Sequence, residues 1–252
     1  MANYAYKDNQ RKEIIYSTQA IEEDRSTAFY CPNPKCNAQL YICAIDGSKT
    51  AYFRATKRKY PHVSNCPFGN SAIEFDKTQF DESNFDYDKA IGLLFAPTST
   101  DKTSKKSGVP GIGELQNHPP RTIRQIYSMC KSFPVNAKYG NKEIGEMILD
   151  DRSEYRYPRG CFGNKIIEAV VKDRLYDNDK RCIYLSAPMD SKKYSFVLDF
   201  SDDETYKIIR GEIYNNRDKV IIVAGQWESL GKYNSFISKI NRREQVAVLK
   251  KR

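Results

Sequence analysis

The stretch Lys165-Ile-Ile-Glu-Ala-Val-Val171 opens a C-terminal series of short β-branched and aromatic runs that decides the fold. Such runs, separated by Asn, Asp and Ser, are typical of β-strands. Five more follow, at residues 181–185, 194–200, 206–214, 219–224 and 245–249. This spacing predicts a small barrel or sandwich, and a helix expected over residues 228–238 favours an OB-like barrel.

Upstream of these strands, four apolar residues recur at helical spacing: Ile123, Ile126, Tyr127 and Cys130. They predict a helix over residues 121–133, and a second short helix is expected over 142–149. Residues 97–120 are rich in Thr, Ser, Lys, Gly and Pro and show neither period, which predicts a linker. The chain therefore divides into a unit at residues 1–96, the linker, and a unit at 121–252.

The N-terminal unit shows five strand-like stretches, at residues 4–6, 13–16, 28–30, 39–45 and 51–54. Asp46-Gly47 separates the last two and predicts a hairpin turn. An acidic and aromatic segment follows at residues 74–88 and leads into an expected helix at 87–95. The predicted fold class is α+β and mostly β, with a zinc-ribbon-like unit, a linker, and a small barrel with a few short helices.

Composition excludes several classes of protein. The 252 residues contain 40% hydrophobic residues, enough for a core, but the longest aliphatic run is residues 220–224, far below the ~20 that a membrane helix needs. The first residues lack the apolar segment of a secretory signal. Seven cysteines are an odd number for a disulfide framework. We therefore expect a cytoplasmic protein with reduced thiols and no membrane association.

The charge is unevenly distributed. The chain has 41 basic and 32 acidic residues, a formal charge of +9. Residues 1–96 are neutral overall, with 12 of each sign, whereas residues 120–252 hold 26 basic and 18 acidic residues. A surplus of this kind favours a polyanionic partner, and its location predicts that the C-terminal unit provides the contact.

The strongest chemical signal is the pair of motifs Cys31-Pro-Asn-Pro-Lys-Cys36 and His62-Val-Ser-Asn-Cys66. Three thiols and one imidazole match a tetrahedral Zn²⁺ site. All four positions are filled by protein, which predicts a structural rather than a catalytic ion. The alternative is that the cysteines are buried small hydrophobes, and Cys43 is a substitute ligand for which packing is the expected role.

Residues 27–68 resemble the N-terminal zinc-finger-like region of the competence protein CoiA family. The resemblance rests on Ala28-Phe-Tyr-Cys31, on Ala51-Tyr-Phe-Arg-Ala55 and on His62 with Cys66-Pro-Phe68. This chain departs from that pattern in its four-residue knuckle and in lacking histidines beside Phe53. The resemblance implies a bacterial, DNA-associated context, and it does not carry nuclease activity over to this chain.

A metal-dependent nuclease would need two carboxylates and a lysine held together. The nearest match places Asp199 on one predicted strand and Glu212 on the next, but Tyr214 stands where lysine is required. Glu168 fails in the same way. Only His62 and His118 are present, so a Ser or Cys nucleophile with a His base is not expected. No catalytic residue is predicted, and a divergent metal-dependent nuclease is the alternative.

Nucleic-acid binding needs cations for phosphates and flat rings for bases. Eight residues combine the two: Tyr155, Arg156, Tyr157, Arg159, Phe162, Lys165, Arg242 and Arg243. The alternative is that they are solvated barrel faces and loops. We predict a bacterial zinc-containing protein that binds single-stranded or structured DNA or RNA, with DNA the favoured ligand.

A third hypothesis is a protein-interaction subunit of a larger bacterial assembly for DNA processing or defence, with residues 74–95 as the docking segment. The run at 74–88 carries six carboxylates and one lysine, and it could instead fold back onto the basic loop at 49–66 or remain a solvated connector. Oligomeric state does not follow from the sequence.

Overall fold

The computed structural model describes residues 2–47, 51–64, 66–69, 75, 79–96 and 118–249. The predicted linker therefore lies outside the described residues except for 118–120. Within the described part the protein is mostly β with few helices. None of the helices found there is long and apolar enough to cross a bilayer.

The N-terminal unit is a sheet of five short strands in the order β2-β1-β3-β4-β5, with every pairing antiparallel. The strands are β1 (Tyr4–Tyr6), β2 (Ile14–Tyr16), β3 (Phe29–Tyr30), β4 (Gln39–Cys43) and β5 (Tyr52–Arg54). A bridge between Ala2 and Phe53 links the last strand to the start of the first. The predicted β4–β5 hairpin is confirmed.

The C-terminal unit contains a closed five-stranded barrel. Its strands are β9 (Gly163–Asp177), β10 (Cys182–Ala187), β11 (Tyr194–Phe200), β12 (Val220–Ser229) and β13 (Ser235–Ile240). They close in the order β9-β10-β11-β13-β12 and back to β9, because the first part of β9 pairs with β12 and its last part with β10. The β11–β13 pairing is parallel and the other four are antiparallel.

Four α-helices accompany the sheets in the described residues. They are α1 (Tyr87–Phe95), α2 (Ile123–Ser132), α3 (Ile144–Met147) and α4 (Asp203–Tyr214). Three small strand pairings complete the chain: the hairpin β6 (Lys138–Tyr139) with β7 (Lys142–Glu143), β8 (Ile148–Leu149) parallel to β9, and β14 (Val246–Leu249) antiparallel to β12. The predicted helices over 87–95 and 121–133 are confirmed, whereas the one over 142–149 is reduced to the single turn of α3.

Two of the sequence predictions for the barrel are wrong. The run 206–214 is the helix α4, because Tyr206, Ile209 and Ile213 recur at helical spacing on its buried face and Asp202 caps its first turn. The expected helix over 228–238 is instead the β12–β13 hairpin, where Gly231 turns the chain at φ +78°. The helix therefore lies between the third and fourth strands.

The buried side chains form three clusters, one inside the N-terminal sheet, one inside the barrel and one between the helices and the barrel wall. The last of these contains α1 and α2 together with Phe75 and Phe85. The apolar residues of the predicted docking segment 74–95 thus pack mainly against the C-terminal unit, and the helices cover the β9–β12 side of the barrel.

Candidate metal centre and nucleic-acid interface

Cys31 and Cys36 lie on a tight knuckle that follows β3. The amide of Cys36 donates to the carbonyl of Asn33 at 3.0 Å, and the amide of Lys35 donates to the Asn33 side chain at 2.9 Å. Such a turn brings both thiols to one side of the loop. A C-x4-C spacing thus provides two ligands from six residues.

His62 and Cys66 complete the site from the segment after β5. The amide of Cys66 donates to the carbonyl of Val63, which closes a turn between the two ligands. The four ligand atoms of Cys31, Cys36, His62 and Cys66 lie within 4.8 Å of one another. The structure therefore brings together the four residues that the sequence predicts, and Cys43 lies outside the cluster.

The spacing within the cluster fits a tetrahedral Zn²⁺ ion. Zn–S bonds of about 2.3 Å and Zn–N bonds of about 2.0 Å place neighbouring ligand atoms roughly 3.5–3.8 Å apart. The Cys31 and Cys66 sulfurs are 3.7 Å apart, and the Cys36 sulfur is 3.4 Å from Nδ1 of His62. Burial raises the pKa of the Cys31 thiol well above its ordinary value, so a thiolate here needs a cation beside it.

Arg11 holds the knuckle from the opposite strand pair and was not predicted from the sequence. Its guanidinium donates to the carbonyls of Cys31 at 3.0 Å, Asn33 at 2.9 Å and Cys36 at 2.7 Å. These bonds satisfy carbonyls that a tight loop leaves without sheet partners. The only sequence signal would have been an arginine in the turn between β1 and β2.

Phe68 connects the metal centre to the C-terminal unit. It lies two residues after the ligand Cys66, is buried, and packs edge-on against Tyr4 with ring centroids 6.3 Å apart. Two cations from the other unit lie over its ring, Nζ of Lys131 at 5.2 Å and the guanidinium of Arg152 at 5.4 Å. Cation–π contacts of this kind are stronger when desolvated.

Those two cations belong to a buried ionic cluster. Nζ of Lys131 lies 2.7 Å from Asp150 and 2.8 Å from Glu168, and Arg152 pairs with Asp150 at 2.8 Å. Burial would lower the pKa of Lys131, but the two carboxylates outweigh it and raise that pKa. Arg152 also donates to the hydroxyl of Tyr4 at 2.7 Å and so bonds the two units directly.

The cluster has the two carboxylates and one lysine of a metal-dependent nuclease, but most of its polar atoms already have protein partners, Oε1 of Glu168 being an exception. Oδ1 of Asp150 accepts from the amides of Arg152 and Ser153, each at 3.0 Å. Oδ2 accepts from Lys131 at 2.7 Å and from the Arg152 side chain at 2.8 Å. All four residues are buried, so the arrangement acts as an ionic core rather than as a site open to substrate.

The predicted carboxylate pair is wrong in its geometry. Asp199 is on β11 as expected, but Glu212 is on α4 and not on a neighbouring strand. Glu212 lies 3.7 Å from the guanidinium of Arg243, and Asp199 lies beside Cys182. The pair therefore does not form the two-strand arrangement that a nuclease site requires.

The predicted nucleic-acid residues fall into two groups. Tyr155, Arg159 and Phe162 are exposed at one end of the barrel. The other five have protein partners or are partly buried. Arg156 pairs with Glu143 at 2.6 Å, the buried Tyr157 donates its hydroxyl to Gly145, and Lys165 is partly buried in β9. Arg242 donates to the carbonyls of Leu93 and Ala96, and Arg243 lies beside Glu212. Tyr157 and Arg156 have structural partners.

One aromatic residue at the same end of the barrel was missed. Tyr233 is 92% exposed at the tip of the β12–β13 hairpin. Phe162 packs edge-on against Phe236 of the adjoining strand at 5.1 Å, and Lys193 lies 3.8 Å from Glu154, next to Tyr155. We call Tyr155, Phe162, Tyr233 and Lys193 the aromatic end. A tyrosine that follows Gly-Lys in a turn indicates an exposed ring, but this signal is visible only when the segment is predicted to be a hairpin.

Comparison with known proteins adds no relative. The chain matches no protein-family model, no curated protein and no solved structure.

Proposed function

We propose that this protein is a zinc-containing nucleic-acid-binding protein whose C-terminal barrel is OB-like. Counting from β9, the strand order is 1-2-3-5-4-1, with a helix between the third and fourth strands and a parallel pairing of the third and fifth. OB barrels share the five-stranded Greek-key plan and bind oligonucleotides with strand faces and loops. This connectivity supports the OB-like assignment.

The observation that carries the proposal is the aromatic end. Three exposed rings there, on Tyr155, Phe162 and Tyr233, surround one rim of the barrel, and Lys193 and Arg159 add positive charge. Aromatic rings outside a core offer stacking surfaces to unpaired bases, and neighbouring cations neutralise phosphates. Single-stranded nucleic acid is the ligand that uses both features.

The metal centre supports this function as a scaffold. The four ligands Cys31, Cys36, His62 and Cys66 fill a tetrahedral Zn²⁺ site and leave no position for a reacting water. The ion would fix the N-terminal unit, whose loop carries Phe68 against the C-terminal unit. The resemblance to the CoiA-like zinc region agrees with a scaffold role for the ion. A DNA-associated role for the chain is part of the proposal.

The test is fluorescence anisotropy with labelled single-stranded DNA and RNA 20-mers across a salt series. Tyr233→Ala should weaken binding about 10-fold, since stacking contributes roughly 1–3 kcal/mol per base. Tyr214→Ala is the matched control, because Tyr214 is an exposed tyrosine on α4. The absence of binding at ~50 mM salt, or equal losses for both variants, would refute the proposal.

A further inference from the structure

A cleft of about 520 Å³ lies between the C-terminal end of α1, the start of α2, and the segment before β14. Four arginines line it: Arg121, Arg124, Arg242 and Arg243. We propose that this cleft is a binding site for a small organic phosphate, of the size and chemistry of a mononucleotide. The proposed nucleic-acid function does not depend on this site.

Two of the four arginines, Arg124 and Arg242, are held by hydrogen bonds to backbone carbonyls. Arg242 donates to the carbonyls of Leu93 at 3.3 Å and Ala96 at 2.7 Å, where α1 ends. Arg124 donates to the carbonyl of Val248 at 2.8 Å. A guanidinium has five N–H donors, and these bonds use only some of them. Arg124 and Arg242 are thus positioned and keep donors for a ligand.

The net positive charge of the cleft favours an anionic ligand. Two carboxylates, Glu212 and Glu244, also line it, so four guanidinium groups face two negative charges. Glu244 pairs with Arg242 at 3.2 Å, and Glu212 lies 3.7 Å from Arg243. The remaining surplus of two positive charges, on Arg121 and Arg124, matches a phosphate monoester dianion. Guanidinium groups bind phosphate oxygens in a two-pronged geometry.

Apart from Thr122, the remaining lining of the cleft is apolar. Leu94, Ile123 and Val246 form part of its wall. A free inorganic anion would leave this surface without a partner, whereas a nucleoside or similar group attached to the phosphate would cover it. The volume lies within the ~300–1,000 Å³ usual for small-molecule sites. The ligand we infer therefore has a phosphate and one flat or apolar group.

The cleft is separate from the aromatic end. Strand β13 begins next to the Tyr233 hairpin and ends just before Arg242. Its six residues span roughly 20 Å at about 3.3 Å per residue. Arg242 and Arg243, which the sequence predicts as nucleic-acid contacts, thus belong to a second site at the other end of the barrel.

The experiment is isothermal titration calorimetry of the full chain with AMP, adenosine, inorganic phosphate and succinate. AMP should bind, phosphate should compete with it more weakly, and adenosine and succinate should bind at least 10-fold more weakly than AMP. Arg121→Gln and Arg124→Gln should each lower the AMP affinity about 10-fold, the loss expected for one charge-assisted contact.

Two controls separate the sites. Arg58→Gln removes an exposed arginine of the N-terminal unit, and Tyr233→Ala removes the exposed ring of the aromatic end; both should leave the AMP affinity unchanged. The absence of AMP binding, equal affinity for succinate, or an equal effect of Arg58→Gln would overturn the proposal. If the protein binds AMP but no oligonucleotide, the proposed nucleic-acid function is refuted and the phosphate site is retained.

Discussion

The N-terminal unit and the barrel reach a stable fold by different means. The N-terminal strands are two to five residues long, and three of the four candidate metal ligands are part of the small buried cluster between them. The barrel has strands of up to 15 residues and an interior of large apolar side chains, including Trp227 and Phe196. A short-stranded unit buries little apolar surface, so we expect it to depend on a bound metal ion for its stability, whereas a closed barrel should not.

The largest expected effect comes from removing the metal from the N-terminal unit. Cys36→Ser should abolish stoichiometric zinc and unfold the N-terminal unit, because structural zinc sites contribute on the order of 10 kcal/mol. Metal analysis and near-ultraviolet circular dichroism measure both changes. Cys43→Ser is the control: because Cys43 lies outside the cluster, this variant should still bind zinc. Full zinc content in Cys36→Ser would contradict the ligand set.

The next effect concerns the ionic cluster beneath Phe68. Lys131→Met should lower the free energy of unfolding by about 3–5 kcal/mol, because it leaves the buried carboxylates of Asp150 and Glu168 without their shared cation. Denaturant unfolding measures the change. Lys138→Met, at an exposed position on β6, should change stability by less than about 0.5 kcal/mol. Equal stability of both variants would mean that the cluster is not an ionic core.

The same region gives a pH dependence. Burial, with the nearby Glu168, raises the pKa of Asp151 to about 7 from its ordinary 3.8. A raised carboxyl pKa means that the folded state binds the proton more tightly, so this group stabilises the fold below about pH 4 and that contribution disappears as pH rises to 7. Asp151→Asn should therefore raise stability by about 4 kcal/mol at pH 8, since one pKa unit corresponds to about 1.4 kcal/mol. Thermal unfolding at pH 5 and pH 8 measures the difference.

The matched control for that prediction is Asp190→Asn, at the exposed residue whose amide donates to Asp151 at 3.1 Å. It should change the pH dependence only slightly. A stability profile of Asp151→Asn parallel to that of the unaltered protein between pH 5 and pH 8 would show that Asp151 titrates normally.

The smallest effect is the hydrogen bond that joins the two units. Tyr4→Phe removes the hydroxyl that accepts from Arg152 and should cost about 1 kcal/mol or slightly more, since the bond is to a charged group. Tyr6→Phe serves as the control for loss of a tyrosine hydroxyl on the same strand. A larger loss for Tyr6→Phe would argue against a direct bond between the units.

The sequence predicts the metal site well because its ligands are local pairs. Cys31 with Cys36, and His62 with Cys66, each lie within one turn, so spacing alone defines them. The ionic cluster was not predictable in this way: Lys131, Asp150 and Glu168 come from a helix, a turn and a strand, and only the fold brings them together. A buried lysine has no local sequence signature.

The barrel illustrates how two local errors can leave the architecture correct. Residues 206–214 contain Tyr and Ile at positions that fit both periods for a short stretch, and the cap at Asp202 decides for a helix. The sequence predicts the helix of the barrel over residues 228–238, whereas the structure has it at α4. Because four of the five barrel strands coincide with predicted apolar runs, a small barrel was still the correct expectation, whereas strand order depends on long-range pairings such as β9 with β12.

Amide hydrogen exchange before and after removal of the metal with a chelator tests whether zinc holds the N-terminal unit while the barrel is stable without it. Amides of β1–β5 are expected to lose protection, and those of β9–β13 to keep it. Unchanged protection of β1–β5 in the metal-free protein, or equal loss in both units, would contradict this role of zinc.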